Sequence, residues 1–465
     1  MTDAYRAAMP PGVVHEFPIT GLDRTGVPVW TVKVWPDDGP GFGGVGYGPD
    51  EDAARLSAWG ECFEGAGILM ALRSLPRTRG AFSELRRHGA SGILDPRAAC
   101  LPAGSRWTPE TPLTWVPVTR VATGQPVLVP IELAAESSGH LDPGDSPPGG
   151  WLLTPISNGL GAGFTPDQAL GHGLRELLQR DGNSVTYRAL DRGVAVVLDA
   201  VEDPATRALL DHLDALGIDV LVKLAGTDDG VVNLYVVGCE RDPDQTPHPL
   251  SVTACGEAAH PDREQALAKA LREFCASRAR KPFTHGPLTL LDSLPIPDGY
   301  LERILTEPPA GEEPRAFAAM LGWLGRSARE LVALIADPVL SVRERVAFSS
   351  LPRRSAPDVS SLDVLALGYD APGGGAFVRK VIVPGLEVET ASYGRIGRRN
   401  IVRLRDLELA GFGPPPASTA RVLLPDGEPA WLDRAAIDRL TDPLYALYRE
   451  PSRHAAALYA EVGAA

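Results

Sequence analysis

The chain has no apolar run long enough to span a bilayer, and Met1–Gly12 lacks the basic and apolar regions of a secretory signal. A soluble cytoplasmic protein is expected. Net positive charge is missing too. With 45 Lys and Arg against 59 Asp and Glu, the charge of -14 offers no footprint for nucleic acid. An acidic chain that handles phosphates needs a metal or a local arginine cluster to offset its own field. Cysteine is sparse: Cys62, Cys100, Cys239, Cys255 and Cys275 are odd in number and far apart, which argues against a disulfide framework and against a zinc site. No GxxxxGK[ST] phosphate loop occurs. Glycine and proline are plentiful, 49 and 44 among 465 residues, so turns are many in an otherwise ordinary globular composition able to bury at least one large core.

Three stretches share one layout. In Ser157–Gly182, SNGLGAGFTPDQALGHGLRELLQRDG, a glycine loop runs into a helix with Thr165 as N-cap, Pro166 first and Asp167 in the first turn. Its glycines are expected to bring the backbone close to a ligand and to take positive φ. His172, Glu176, Gln179 and Arg180 then form one stripe. Gly39–Gly48 is a second such loop, followed by Pro49-Asp50 and a helix with Ser57, Glu61 and Glu64 on one stripe. A third begins at Ala254-Cys255-Gly256, passes His260-Pro261-Asp262 and carries Glu273. In chain order the Asp-to-Glu distances are eleven, nine and eleven residues, the nine belonging to Asp167 and Glu176. The copies lie too far apart for a solenoid, which makes them related positions in one large fold.

Elsewhere, strands are expected at Val27–Trp35, Val194–Leu198, Val220–Leu224, Asn233–Gly238 and Phe377–Val383, with a hairpin turn at Ala122–Gln125. Helices are expected at Pro204–Leu216 and Ala316–Ile335, with another starting at Asp337-Pro338. Pro143–Gly150 reads as a surface loop or an insertion, Gly286–Pro314 as a connector, and Trp431–Val462 as a helical cap, partly broken at Pro443 and Pro451, without obvious chemistry. This order predicts α+β layers with mixed or antiparallel sheets.

If the three helices converge, Glu61, Glu64, Glu176 and Glu273 meet. Clustered carboxylates raise one another's pKa and need an offset. Mg²⁺ is the usual one, since it takes oxygen ligands and keeps waters and phosphates in its shell. Helix N-termini and glycine-loop N–H groups would hold phosphate oxygens, with Arg180 and Arg278 in forked contact. Glu273 and Arg278 stand roughly 140° apart on a helix, so they share a face only if it bends or ends between them. The competing reading is a set of separate solvated faces.

These residues resemble the YcaO family. SNGLGAGFTPDQALGHGLRELLQRD is similar to its central ATP-site motif, SAWGECFE to its Ser-x3-Glu-x2-Glu motif, and HPDREQALAKALREFCASR to its Glu-containing helix. FVRKVIVPGLEVETASYGRIGRR and the opening GLDRTGVPVW also match, so the resemblance spans Pro11–Arg405. It implies a tail over 1–10, a catalytic domain over 11–405 with internal pseudo-symmetry of sheet and acidic-helix units, and a C-terminal helical extension over 406–465. It further implies an ATP- and Mg²⁺-dependent enzyme that O-phosphorylates a backbone amide to give an azoline or thioamide in a ribosomally made peptide or protein. Ser57, Glu61, Glu64, Asn158, Glu176, Gln179, Arg180, Glu273 and Arg278 become the nucleotide-binding candidates, and Glu61, Glu64, Glu176 and Glu273 the metal ligands. The implied partners are a peptide or protein substrate and a TfuA-type or ubiquitin-activating-like protein, with a homodimer left open.

The sequence departs from the family at Tyr47, where a lysine is common, at Gly65 for an arginine, at Gln179 for a glutamate and at Ala276 for a glutamine. It also lacks the Pro-x-Pro-x-Pro ending of azoline-forming members. These departures keep a catalytically degenerate substrate-binding or scaffolding subunit in play, and the acidic helices alone also fit an unrelated metal-dependent hydrolase.

Overall fold

The computed structural model describes the chain except residues 90–91, 148, 186–189, 192, 307–312, 387–388 and 464–465. Parts of the expected loop 143–150 and connector 286–314 therefore lie outside the described residues.

The first sheet is an antiparallel meander of β1 (Gly12–Pro18), β2 (Val29–Pro36) and β3 (Phe42–Tyr47). β2 is the strand expected near Val27–Trp35. β3 corrects the expectation of a loop over Gly39–Gly48. Its alternate glycines face the helix Glu51–Ser74, where a Cβ on Gly44 would stand 2.2 Å from the Ala58 carbonyl oxygen and one on Gly46 2.0 Å from the Ala58 nitrogen. Only glycine lets this strand lie so close to the helix.

A six-stranded sheet contains β4 (Thr78–Ala81), β5 (Pro112–Arg120), β6 (Pro126–Pro130), β7 (Leu160–Gly163), β13 (Leu365–Asp370) and β14 (Phe377–Ile382). Its order is β4-β5-β13-β14-β7, with β6 paired to β5 across the expected hairpin. A five-stranded sheet runs β11-β10-β9-β8-β12, formed by β8 (Val194–Val197), β9 (Ile218–Gly226), β10 (Val232–Glu240), β11 (Gly256–His260) and β12 (Glu344–Ala347). Its β12–β8 pair is parallel and its other pairs are antiparallel, so the layers are α+β with mixed pairing. The largest core, including Trp59, Phe63 and Trp115, packs around the helix Glu51–Ser74, and a second, with Leu267, Leu271 and Phe274, lies under the five-stranded sheet.

β3, β7 and β11 each form the edge of a sheet. Each also runs into a long helix: Glu51–Ser74, Pro166–Asn183 and Arg263–His285, here called the first, second and third site helices. An edge strand keeps one row of backbone N–H groups free of ladder bonds. β3 and β7 bring such N–H groups to helix carboxylates, Val45 N to Glu61 and Ala162 N to Glu64.

Other expectations shift. The long helix Ala316–Ile335 is two, Pro314–Leu324 and Ala328–Ile335, because Ser327 and Glu330 form a reciprocal capping box that starts the second. No helix starts at Asp337-Pro338, where 336–340 form turns. The segment after 405 is not purely helical. It opens with a sheet of β15 (Ala410–Phe412), β16 (Ala420–Val422) and β17 (Ala430–Leu432), and Trp431 pairs there with Gly411 and Arg421. The first residues form a short helix, Thr2–Ala8, whose Tyr5 is buried against Phe63 and Phe164. Among the described residues no helix is long and apolar enough to cross a membrane.

Candidate functional site

Counted from their N-caps, the three site helices carry one pattern. Glu61, Glu176 and Glu273 each lie eleven residues beyond the caps Asp50, Thr165 and Asp262. The odd spacing of the middle unit disappears once Thr165, rather than Asp167, is its reference. One turn earlier stand Ser57, His172 and Lys269, and one turn later Glu64, Gln179 and Ala276. Positions i, i+4 and i+7 share a stripe, and all nine residues line a single cavity of about 680 Å³. Small residues bring the strands close: a Cβ on Gly173 would meet the Gly159 carbonyl oxygen at 2.3 Å, and one on Gly256 the Ala270 carbonyl oxygen at 2.0 Å.

Contacts between the units form a ring. Ala162 N on β7 donates to Glu64 of the first helix at 2.8 Å. Arg180 of the second helix donates to Glu257 on β11 at 2.9 Å. The Tyr47 hydroxyl, at the end of β3, donates to Glu273 of the third helix at 2.9 Å. Each helix thus reaches the strand of the next unit, and the third closes on the first. Within units, Val45 N donates to Glu61 at 2.7 Å and Gly159 N to Glu176 at 2.8 Å. This corrects the expected role of the glycine stretches. In the first two units backbone N–H groups of these stretches hold carboxylates, because β3 and β7 are edge strands facing acidic helices.

Burial outweighs the nearby cations at several of these carboxylates. Burial, together with Glu176 and Glu61, pushes the Glu64 carboxyl well above the usual range. Burial also raises Glu61 and Glu273. Glu136, against which a Cβ on Gly65 would collide at 2.7 Å, is pushed up to about 7 by burial and by Glu61, although Lys380 opposes this. Three cations line the cavity, Arg180, Lys269 and Arg280. Arg180 pairs with Glu257 and stands 3.6 Å from Glu176, but its buried Nε has no hydrogen-bond partner among the described residues.

The departures from the family pattern have structural occupants. Tyr47 binds Glu273, the Gln179 amide donates to Glu257 at 3.3 Å, Gly65 makes room for Glu136, and Ala276 lines the wall.

Of the expected site residues, Ser57, Glu61, Glu64, Glu176, Gln179, Arg180 and Glu273 line the cavity. Asn158 borders an adjoining space of about 240 Å³ and donates to Glu389 at 3.1 Å. Arg278 does not join them. It is fully buried and paired with Asp23 at 3.0 Å and with Glu240. The third helix runs unbroken from Arg263 to His285, so five residues beyond Glu273 the side chain points away from the cavity. Arg280, two turns beyond Glu273, faces it instead.

Sequence reasoning missed the residues of the adjoining space, among them Glu257, Lys281, Glu389, Arg449 and Glu450. Glu450 accepts from Arg280 at 2.6 Å and Lys281 at 3.0 Å; burial would raise its pKa, but these cations hold it well below the usual range. Arg280 had a signal in its seven-residue step from Glu273. Glu450 had none, since it arrives from the far end of the chain.

Among the described residues no three His, Cys, Asp or Glu side chains are gathered as a ready metal cage. Spread carboxylates around an open cavity suit Mg²⁺, which is reached partly through water and phosphate oxygens. The all-oxygen donor set, the raised carboxyl groups and the orphaned Arg180 Nε together fit a cation bound with an anionic ligand.

Comparison with known proteins adds the lineage. An uncharacterised protein of Methanothermobacter thermautotrophicus is 28% identical over 394 residues, 83% of this chain and 93% of its own. A Rhizobium leguminosarum bv. trifolii protein, named for its position in the tfuA 3' region, is 27% identical over 376 residues, covering 78% of this chain and 81% of its own. The fold is similar to that of YcaO from Methanopyrus kandleri, solved with AMPPCP and Mg²⁺, with a TM-score of 0.56, 20% identity and coverage of 85% of this chain and 91% of that one. The family model described as YcaO cyclodehydratase, ATP- and Mg²⁺-binding, matches residues 45–387, from β3 past the last strand of the six-stranded sheet. That span takes in the three site helices with β7, β11 and the end of β3, and the chain belongs to the YcaO family.

Proposed function

We propose that this YcaO protein is an ATP- and Mg²⁺-dependent enzyme that O-phosphorylates a backbone amide and so forms an azoline or thioamide in a ribosomally made peptide or protein. The observation that carries this reading is the cavity itself: about 680 Å³, lined by four helix carboxylates, of which Glu61, Glu64 and Glu273 are raised by burial. Such a volume suits a nucleotide-sized ligand. Glu61, Glu64, Glu176 and Glu273 would hold Mg²⁺ through the carboxylate oxygens not engaged by Val45 N, Ala162 N, Gly159 N and the Tyr47 hydroxyl. Arg180 would meet phosphate oxygens through its unpartnered Nε. The bound nucleotide supplies the phosphoryl group that turns an amide oxygen into a leaving group. The chain's own contribution is positioning and charge neutralisation, which carry most of a phosphoryl transfer.

The tfuA position in the Rhizobium relative's name favours a TfuA-type partner over a ubiquitin-activating-like one. The test is mass spectrometry of a peptide encoded beside the gene after incubation with the protein, its partner, ATP and Mg²⁺. Loss of one water reports an azoline, exchange of oxygen for sulfur, with sulfide supplied, a thioamide. An unchanged peptide in the complete mixture contradicts the enzyme.

A scaffolding subunit is the second reading, favoured by the Tyr47 hydroxyl that occupies an oxygen of Glu273 where the family commonly has a cation. It predicts that a Glu61→Ala, Glu64→Ala double variant retains pathway activity.

A further inference from the structure

The cap-aligned pattern places a residue that the family resemblance did not supply. Lys269 lies seven residues beyond its cap Asp262, as Ser57 and His172 do from Asp50 and Thr165, and all three side chains line the cavity. It stands one turn before Glu273 on the same face.

The three cavity cations differ in what holds them. Arg180 is paired with Glu257 and Arg280 with Glu450. Lys269 has no ion pair or hydrogen bond among the described residues. It is exposed toward the cavity and is the first cation opposing the raised pKa of Glu273. An ammonium held by no carboxylate, in a cavity with a surplus of carboxylates, keeps its three donors for an anionic ligand. Lysine serves phosphates well as a compact point charge on a flexible stem. Arg278, which the sequence offered for this task, is closed off in its own ion pairs.

We propose that Lys269 is the phosphate-binding lysine of this site, contacting the terminal phosphates of the nucleotide and supplying the cation missing at Tyr47. This rests on the nucleotide-site reading above. The opposing view is a solvated lysine on a helix face, and the two differ in their dependence on phosphate number.

The test is calorimetric titration of the full chain, with Mg²⁺, by AMPPCP and by AMP, in the wild type, Lys269→Met, Lys269→Arg and Glu176→Ala. Lys269→Met should weaken AMPPCP binding about 10- to 100-fold and leave AMP binding within about threefold, with Lys269→Arg restoring most of the difference. Because Lys269 is exposed, the melting temperature of Lys269→Met should match the wild type. AMPPCP affinity equal to wild type, or an equal loss for AMP and AMPPCP, overturns the proposal. If Glu176→Ala loses AMPPCP while Lys269→Met keeps it, only the lysine assignment falls. A wild type silent toward AMPPCP removes both that assignment and the nucleotide site.

Discussion

Glu273 and Arg278 sit five residues apart on one helix and belong to opposite kinds of charged region. Arg278 is enclosed with Asp23 and Glu240, where each charge has a hydrogen-bonded partner. Glu273 faces a cavity where carboxyl groups are raised by burial and by one another. Both regions are acidic and both involve charged side chains on long helices. What separates them is whether the protein completes its own charge balance. The enclosed cluster is finished and holds the fold; the open cavity is unfinished and awaits a ligand.

The sharpest way to break this contrast is Arg278→Met, which leaves Asp23 and Glu240 buried without their arginine. Urea unfolding should show a loss of about 3–5 kcal/mol. A near-neutral change would mean that the cluster does not hold the fold.

Next in size is Gly46→Ala, whose new Cβ would fall 2.0 Å from the Ala58 nitrogen. Overpacking of this kind costs about 1–3 kcal/mol. It should also weaken Mg²⁺-dependent nucleotide binding, since the first helix carries Glu61 and Glu64 away from β3.

Glu64→Gln should act in the opposite direction and stabilise the ligand-free protein by about 1 kcal/mol, because it removes one of several repelling carboxylates. The pH dependence has a definite sign. A carboxyl whose pKa is raised on folding favours the folded state at low pH and loses that contribution as pH rises above its unfolded value, 4.5. Thermal melts should therefore show the variant's advantage growing as the pH rises above 4.5. Mg²⁺ with nucleotide should erase or reverse it.

The smallest effect is expected from Tyr47→Phe, which removes the hydrogen bond to Glu273 and costs about 0.5–1.5 kcal/mol. Its informative readout is Mg²⁺ affinity. Release of the Glu273 oxygen should leave it equal or tighter, whereas a clear loss would make Tyr47 part of the ligand site.

Much of the site was legible in the sequence because helix periodicity is local. Ser57, Glu61 and Glu64 needed only a cap and a repeat of 3.6 residues to share a face. Where the reading failed, the missing information was tertiary. GFGGVGY looks like a flexible loop until Ala58 is known to lie against it, and then its glycines become the means of close strand-to-helix packing. Arg278 and Arg280 are both arginines near Glu273, and which one meets the cavity depends on the helix continuing unbroken past Glu273. Glu450 reaches Arg280 from 170 residues away, a separation across which no periodicity carries.

The central claim is that the carboxylates of the three helices are completed by Mg²⁺ and ATP. It is tested most directly by titrating ATP into the purified full chain with and without Mg²⁺, in the wild type and in Glu176→Ala. Saturable binding that requires Mg²⁺ and disappears in a folded Glu176→Ala protein is the predicted result. No binding by the wild type, or binding indifferent to both Mg²⁺ and Glu176, would contradict it.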